Sequence, residues 1–110
     1  MLIFKQKNRI KSKYHFNYLF NNSTKVNCNG FICFLSKSLT DSPKYAFVAS
    51  KKIGNAVQRN RAKRVMRDIV RLNQFNIDKQ FDMVVIAKTS FFKYDFNELE
   101  IDFKQKLSKY

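Results

Sequence analysis

At 110 residues the chain is long enough for one domain and too short for a second core. Hydrophobic residues make up 45% and twelve are Phe, enough apolar material for a small packed interior, which excludes a wholly disordered chain. A formal net charge of +14 excludes an acidic or neutral surface and points to a polyanionic partner.

The charge is unevenly placed. Residues 1–77 hold sixteen Lys or Arg against Asp41 and Asp68, a net of +14, whereas residues 78–110 hold six of each sign. Five of the six arginines fall between 59 and 71, which a general enrichment in Lys would not produce. Cys28, Cys33 and the single His15 do not make a four-ligand zinc pattern. Cys33 lies in an alternating apolar run and reads as core; Cys28 reads as a free surface thiol, and a disulfide between them would close a trivial loop. The start of the chain is too briefly apolar for a signal peptide, and no stretch approaches the ~20 residues that span a bilayer. A reduced, cytoplasmic protein is the expectation.

In chain order, residues 1–12 read as an extended basic arm of a single domain covering 1–110. From Lys13 to Asn21 the recurrence of Phe16, Leu19 and Phe20 at i, i+3 and i+4 predicts a short helix with one aromatic edge, stopped at Asn21-Asn22-Ser23. Residues 30–37 alternate, with Phe31, Cys33 and Leu35 on one side and Ile32 and Phe34 on the other. Both sides are apolar, so this strand is either covered twice or presents a functional surface. Asp41-Ser42-Pro43 marks a turn, and residues 45–52 predict a second strand, antiparallel to the first and ending in Lys51-Lys52. Residues 81–88 are a near-continuous apolar run, a central strand. From Asp95 to Lys109, Phe96, Leu99, Phe103 and Leu107 recur at helical spacing, predicting a helix that closes the core.

Between the second and the central strand lies the segment that holds the arginines. Asn55 stands at an N-cap position and Gln58, three residues on, completes the pattern of a capping box. At ~100° per residue, Ala62, Val65, Met66, Ile69 and Leu72 gather within roughly 120° as a buried stripe. Asn60, Lys63, Arg64, Arg67 and Arg71 fall within about 100° on the other side, flanked by Arg59 and Arg61. Only Asp68 is available to offset six cations, and like charges at i+3 or i+4 cost a few tenths of a kcal/mol per pair. An anionic partner would relieve that repulsion. Guanidinium groups take phosphate in bidentate fashion where Lys acts as a point charge, so phosphate is the natural object.

The run Lys51-Lys52-Ile53-Gly54-Asn55-Ala56-Val57, then Arg59-Asn60-Arg61, Lys63-Arg64 and Arg67, closely resembles the signature of the protein subunit of bacterial ribonuclease P. The likeness extends over nearly the whole chain, including Ile86-Ala87-Lys88 at a strand end. It implies an α/β (α+β) two-layer sandwich of order αβββαβα, of a type shared with a ribosomal-protein domain. Its βαβ crossover would be left-handed, against the general right-handed rule. It also implies a noncatalytic subunit that assists a catalytic RNA in removing the 5′ leader from precursor tRNA. Lys51, Lys52, Arg59, Asn60, Arg61, Lys63, Arg64, Arg67 and Arg71 would meet the catalytic RNA. Phe16, Phe20, Ile32, Phe34 and Lys88 would line a cleft for the single-stranded leader. The Mg²⁺ of the particle would be held mainly by RNA, with one protein copy per particle and no membrane contact. Phe34 stands where the family often has tyrosine, Val48 where serine is frequent, Lys88 where arginine is frequent, and Asn22-Ser23 where a glycine is usual.

Other classes fit less well. A self-sufficient nuclease needs paired carboxylates on a metal or a His-based acid–base pair, and the basic region offers two carboxylates and His15. A membrane-surface helix would need a spare apolar face, whereas this helix needs its stripe for the core. A ribosomal-type structural RNA-binding protein is the alternative within the nucleic-acid class.

Overall fold

The computed structural model describes residues 21, 23–37, 44–73 and 81–108. The arm expected over 1–12, the helix expected from Lys13 with Phe16 and Phe20, and the turn at Asp41-Ser42-Pro43 lie outside the described residues. Among the described residues four strands, β1 (Thr24–Asn27), β2 (Phe31–Lys37), β3 (Tyr45–Val48) and β4 (Phe81–Ala87), form one sheet in the order β1-β2-β4-β3. The helices α1 (Ala56–Leu72) and α2 (Phe96–Leu107) cover one face of it.

The strand expected to run antiparallel to residues 31–37 does not pair with them. β4 lies between, antiparallel to β2, and β3 runs parallel to β4. Met83, Val84 and Val85 are each fully buried, so β4 is apolar on both faces and suits the middle of the sheet. The route from β3 to β4 also passes through α1, the kind of long crossover that parallel neighbours require. β1 escapes a reading of hydrophobic pattern because Val26 is its single inward apolar side chain. It joins β2 through a turn at Asn29-Gly30, with the Cys28 N–H donating to the Phe31 carbonyl at 3.0 Å.

The core lies between the sheet and the helices. Phe31, Cys33 and Leu35 of β2, Met83 and Val85 of β4, Ala62, Met66, Ile69 and Val70 of α1, and Leu99, Phe103 and Leu107 of α2 form one buried cluster. Phe31 and Phe103 meet with ring centroids 5.9 Å apart and planes tilted by 59°, a favourable aromatic geometry. Val70 replaces Leu72, which is 53% exposed, in the stripe expected of α1, and Val65 is only half-buried. The stripe centres near Met66, from which Val70 is displaced by about 40° and Leu72 by about 120° around the helix.

Cys28 is also not the surface thiol expected: it is 2% exposed, because it extends the inward row begun by Val26. Both cysteines are free. Burial pushes the Cys33 thiol well above its ordinary value, and a hydrogen bond with Cys28 adds to the effect.

Polar ties fix the layers. The Asp102 carboxylate accepts the Asn29 backbone N–H at 2.7 Å and lies 3.5 Å from Lys106, binding the β1–β2 turn to α2. A Cβ added to Gly30 would stand 2.5 Å from Leu99 Cδ2, so the turn lies close against α2 and a side chain there would push the Leu99 side chain aside. The buried Asn73 side chain, just past α1, donates to the Ile69 carbonyl at 2.7 Å and to Glu100 at 3.0 Å.

Candidate nucleic-acid interface

The basic surface begins in the turn before α1. Lys51–Ile53 form one 3-10 turn, and the Gly54 N–H donates back to the Lys51 carbonyl at 3.2 Å. Gly54 has φ 148°, and a Cβ there would overlap the Gln58 side chain. That side chain must fold back, because its Oε1 accepts the Asn55 N–H at 2.9 Å while Asn55 Oδ1 accepts the Gln58 N–H at 2.9 Å. The capping box is therefore as the spacing predicts, and it fixes the exposed Lys51 and Lys52 beside the first turn of the helix.

Along α1, Asn60, Arg61, Arg64 and Arg67 are exposed, while Arg59, Lys63 and Arg71 are half-buried where the polar side meets the core. The cations do not share one environment. Arg71 is 3.6 Å from Asp68, one turn back. Arg67 has its guanidinium carbon 5.6 Å from the centre of the Phe47 ring. Arg59 has its Nε buried without a hydrogen-bond partner among the described residues.

A second surface lies on the opposite side of the sheet. Strand alternation and register place two rows there: Lys25, Phe34, Val84 and Ala46, and beside it Asn27, Ile32, Ile86 and Val48. Ile32, Phe34, Ile86, Ala46 and Val48 are half-buried, and Lys25 and Asn27 are exposed at the β1 edge. Ile32 and Phe34 thus fall on one face, as expected. Lys88 follows β4 at the Ile32 end; its Nζ donates to the Cys28 carbonyl at 2.6 Å and its backbone N–H to the Gly30 carbonyl at 2.9 Å.

Among the described residues the two surfaces do not merge. α1 packs on one face of the sheet, and the rows holding Ile32 and Phe34 are on the other. One is rich in guanidinium groups, the other in apolar side chains rimmed by amine and amide. Sequence reasoning misses Lys25 and Asn27, whose strand carries no pattern, and Phe47, whose neighbour twenty residues away is set by packing.

Among the described residues no three His, Cys, Asp or Glu side chains come together to hold a metal ion. The buried carboxylates tie backbone instead: Asp82 accepts the Lys44 N–H at 2.8 Å, and Asp102 accepts the Asn29 N–H at 2.7 Å and pairs with Lys106 at 3.5 Å. No helix of the described residues is long and apolar enough to cross a membrane.

Comparison with known proteins agrees with this geometry. The pattern of the Ribonuclease P family matches residues 4–110. The ribonuclease P protein component of Fusobacterium nucleatum is 34% identical over 84 residues, covering 76% of each chain. That of Syntrophus aciditrophicus is 35% identical over 95 residues, 84% of this chain and 80% of the relative. The solved ribonuclease P protein from Thermotoga maritima superposes with a TM-score of 0.80 at 27% identity, over 93% of this chain and 96% of that one. With nearly its whole length matched in this way, the chain belongs to the ribonuclease P protein family.

Proposed function

We propose that the chain is a noncatalytic subunit that holds RNA on two faces. As a member of its family it serves in the ribonuclease P ribonucleoprotein, which matures tRNA 5′ ends, beside the RNA of that particle. The cationic face of α1, with Lys51 and Lys52 at its start, takes phosphates of the catalytic RNA. The opposite sheet face, with Ile32, Phe34 and Lys88, receives the single-stranded 5′ leader of precursor tRNA; Phe16 and Phe20, outside the described residues, are assigned to the same leader. Magnesium in the particle is assigned to the RNA, and the place of work to the cytoplasm.

One observation carries this reading: two surfaces of different chemistry stand on opposite sides of one small domain. Arginines in excess over acids suit a dense phosphate array, where each contact releases counterions. A half-buried aromatic on a sheet suits an unpaired base, because stacking adds about 1–3 kcal/mol per base and tolerates any sequence. Lys25 at the rim, directly across from Phe34, is placed to meet the phosphate of a stacked nucleotide.

The test is reconstitution. Cleavage of precursor tRNA at low Mg²⁺ should need RNA and protein together, and protein alone should be inactive. Phe34→Ala should weaken binding of precursor tRNA to the particle by about tenfold, the share of one stacked base, and leave mature tRNA unaffected. Equal weakening of both would remove the leader from this face.

A further inference from the structure

Arg67 differs from its neighbours in what lies beneath it. Its guanidinium stands over the ring of Phe47, 5.6 Å from the centroid, within the range of a cation–π contact. Phe47 is half-buried, packs against the core cluster and belongs to β3, an edge strand. The ring is therefore anchored, while Arg67 itself is exposed. Arg71, four residues on, is instead drawn to Asp68.

The two environments have different consequences for binding. A carboxylate competes with phosphate for the same N–H donors. An aromatic face attracts the charge and restricts the rotamers, and it supplies no oxygen acceptor to compete for those donors. A long side chain ordered before the partner arrives loses less freedom when it is engaged. The ring under Arg67 thus prepares it for a phosphate, and the carboxylate beside Arg71 does the reverse.

We propose that Phe47 is a positioning residue for RNA binding, holding the Arg67 guanidinium at the β3 side of the helix in the orientation that grips a phosphate. This rests on the assignment of the α1 face to RNA. Ordering one such side chain is worth about threefold to tenfold in affinity.

The experiment is a double-mutant cycle on the full chain, binding the RNA of ribonuclease P, with thermal melting of each variant alongside. Phe47→Leu should weaken binding by about threefold to tenfold and have no further effect in an Arg67→Ala background. Phe47→Tyr, which keeps the aromatic face, should bind like the parent. If Phe47→Leu weakens binding equally with and without Arg67, the ring does not act through that arginine and the proposal falls. It also falls if Arg67→Ala weakens binding and Phe47→Leu does not. If neither Arg64→Ala nor Arg67→Ala changes affinity, the RNA assignment of the face itself is wrong, and Phe47 loses its role with it.

Discussion

Helices α1 and α2 begin alike and then diverge. Each opens on a reciprocal capping box, Asn55 with Gln58 in α1 and Asp95 with Glu98 in α2, with all four hydrogen bonds between 2.8 and 3.0 Å. In α2 the charges follow what a helix needs: Glu98 in the first turn, Lys104 and Lys106 in the last, and Asp102 paired to Lys106 at i+4. In α1 there is no acid in the first turn, Arg59 and Arg61 lie near the positive end of the dipole, and Asp68 is the helix's single acid. Charge in α2 serves the fold. Charge in α1 opposes it, and the cap and the buried stripe of Ala62, Met66, Ile69 and Val70 hold the helix despite the repulsion.

The largest effect should come from the core. Phe103→Ala removes the α2 ring that meets Phe31 and should cost about 3–5 kcal/mol in urea unfolding, while the fraction still folded binds RNA as before. A loss of RNA affinity in that folded fraction would give α2 a part in the interface. The caps come next. Asn55→Ala and Asp95→Ala should each cost about 1 kcal/mol, but only Asn55→Ala should also weaken RNA binding, because it loosens Lys51 and Lys52. Equal RNA affinities for the two variants would erase that distinction between the helix starts.

A pH-dependent effect concerns the sheet beneath both helices. The raised pKa of the Cys33 thiol means that the unfolded chain gives up this proton first. Stability from the neutral thiol is fully present below the unfolded value and is lost as pH rises toward the folded one, by at most about 1.4 kcal/mol per pH unit. Urea midpoints compared from about pH 8 to about pH 10 should fall more steeply for the parent than for Cys33→Ala. Parallel curves would show that Cys33 is not held neutral in the folded state.

What can be read in advance is local. The cap of α1 depends on residues three apart, and the closing helix on apolar spacing within one segment, so both are visible in the sequence. Alternation in residues 30–37 shows that Ile32 and Phe34 share a face opposite Phe31, Cys33 and Leu35. It does not show which strand lies beside them, because alternation specifies a face and not a partner; the pairing of β3 with β4 follows from the crossover through α1. β1 stays hidden because one buried Val makes no periodicity. The meeting of Arg67 with Phe47 is equally hidden, since it depends on where a helix lies over a strand.

Charge placed on α1 for RNA and not for the fold has a signature in salt. The most direct measurement is the salt dependence of affinity for the ribonuclease P RNA, taken with melting curves, for the parent and for the Arg61→Ala/Arg64→Ala double variant. The logarithmic slope should flatten by about 0.7–0.9 for each phosphate that the variant no longer neutralises, with a melting temperature that holds or rises as like-charge repulsion is relieved. An unchanged slope, or a melting temperature that falls in step with affinity, would contradict it.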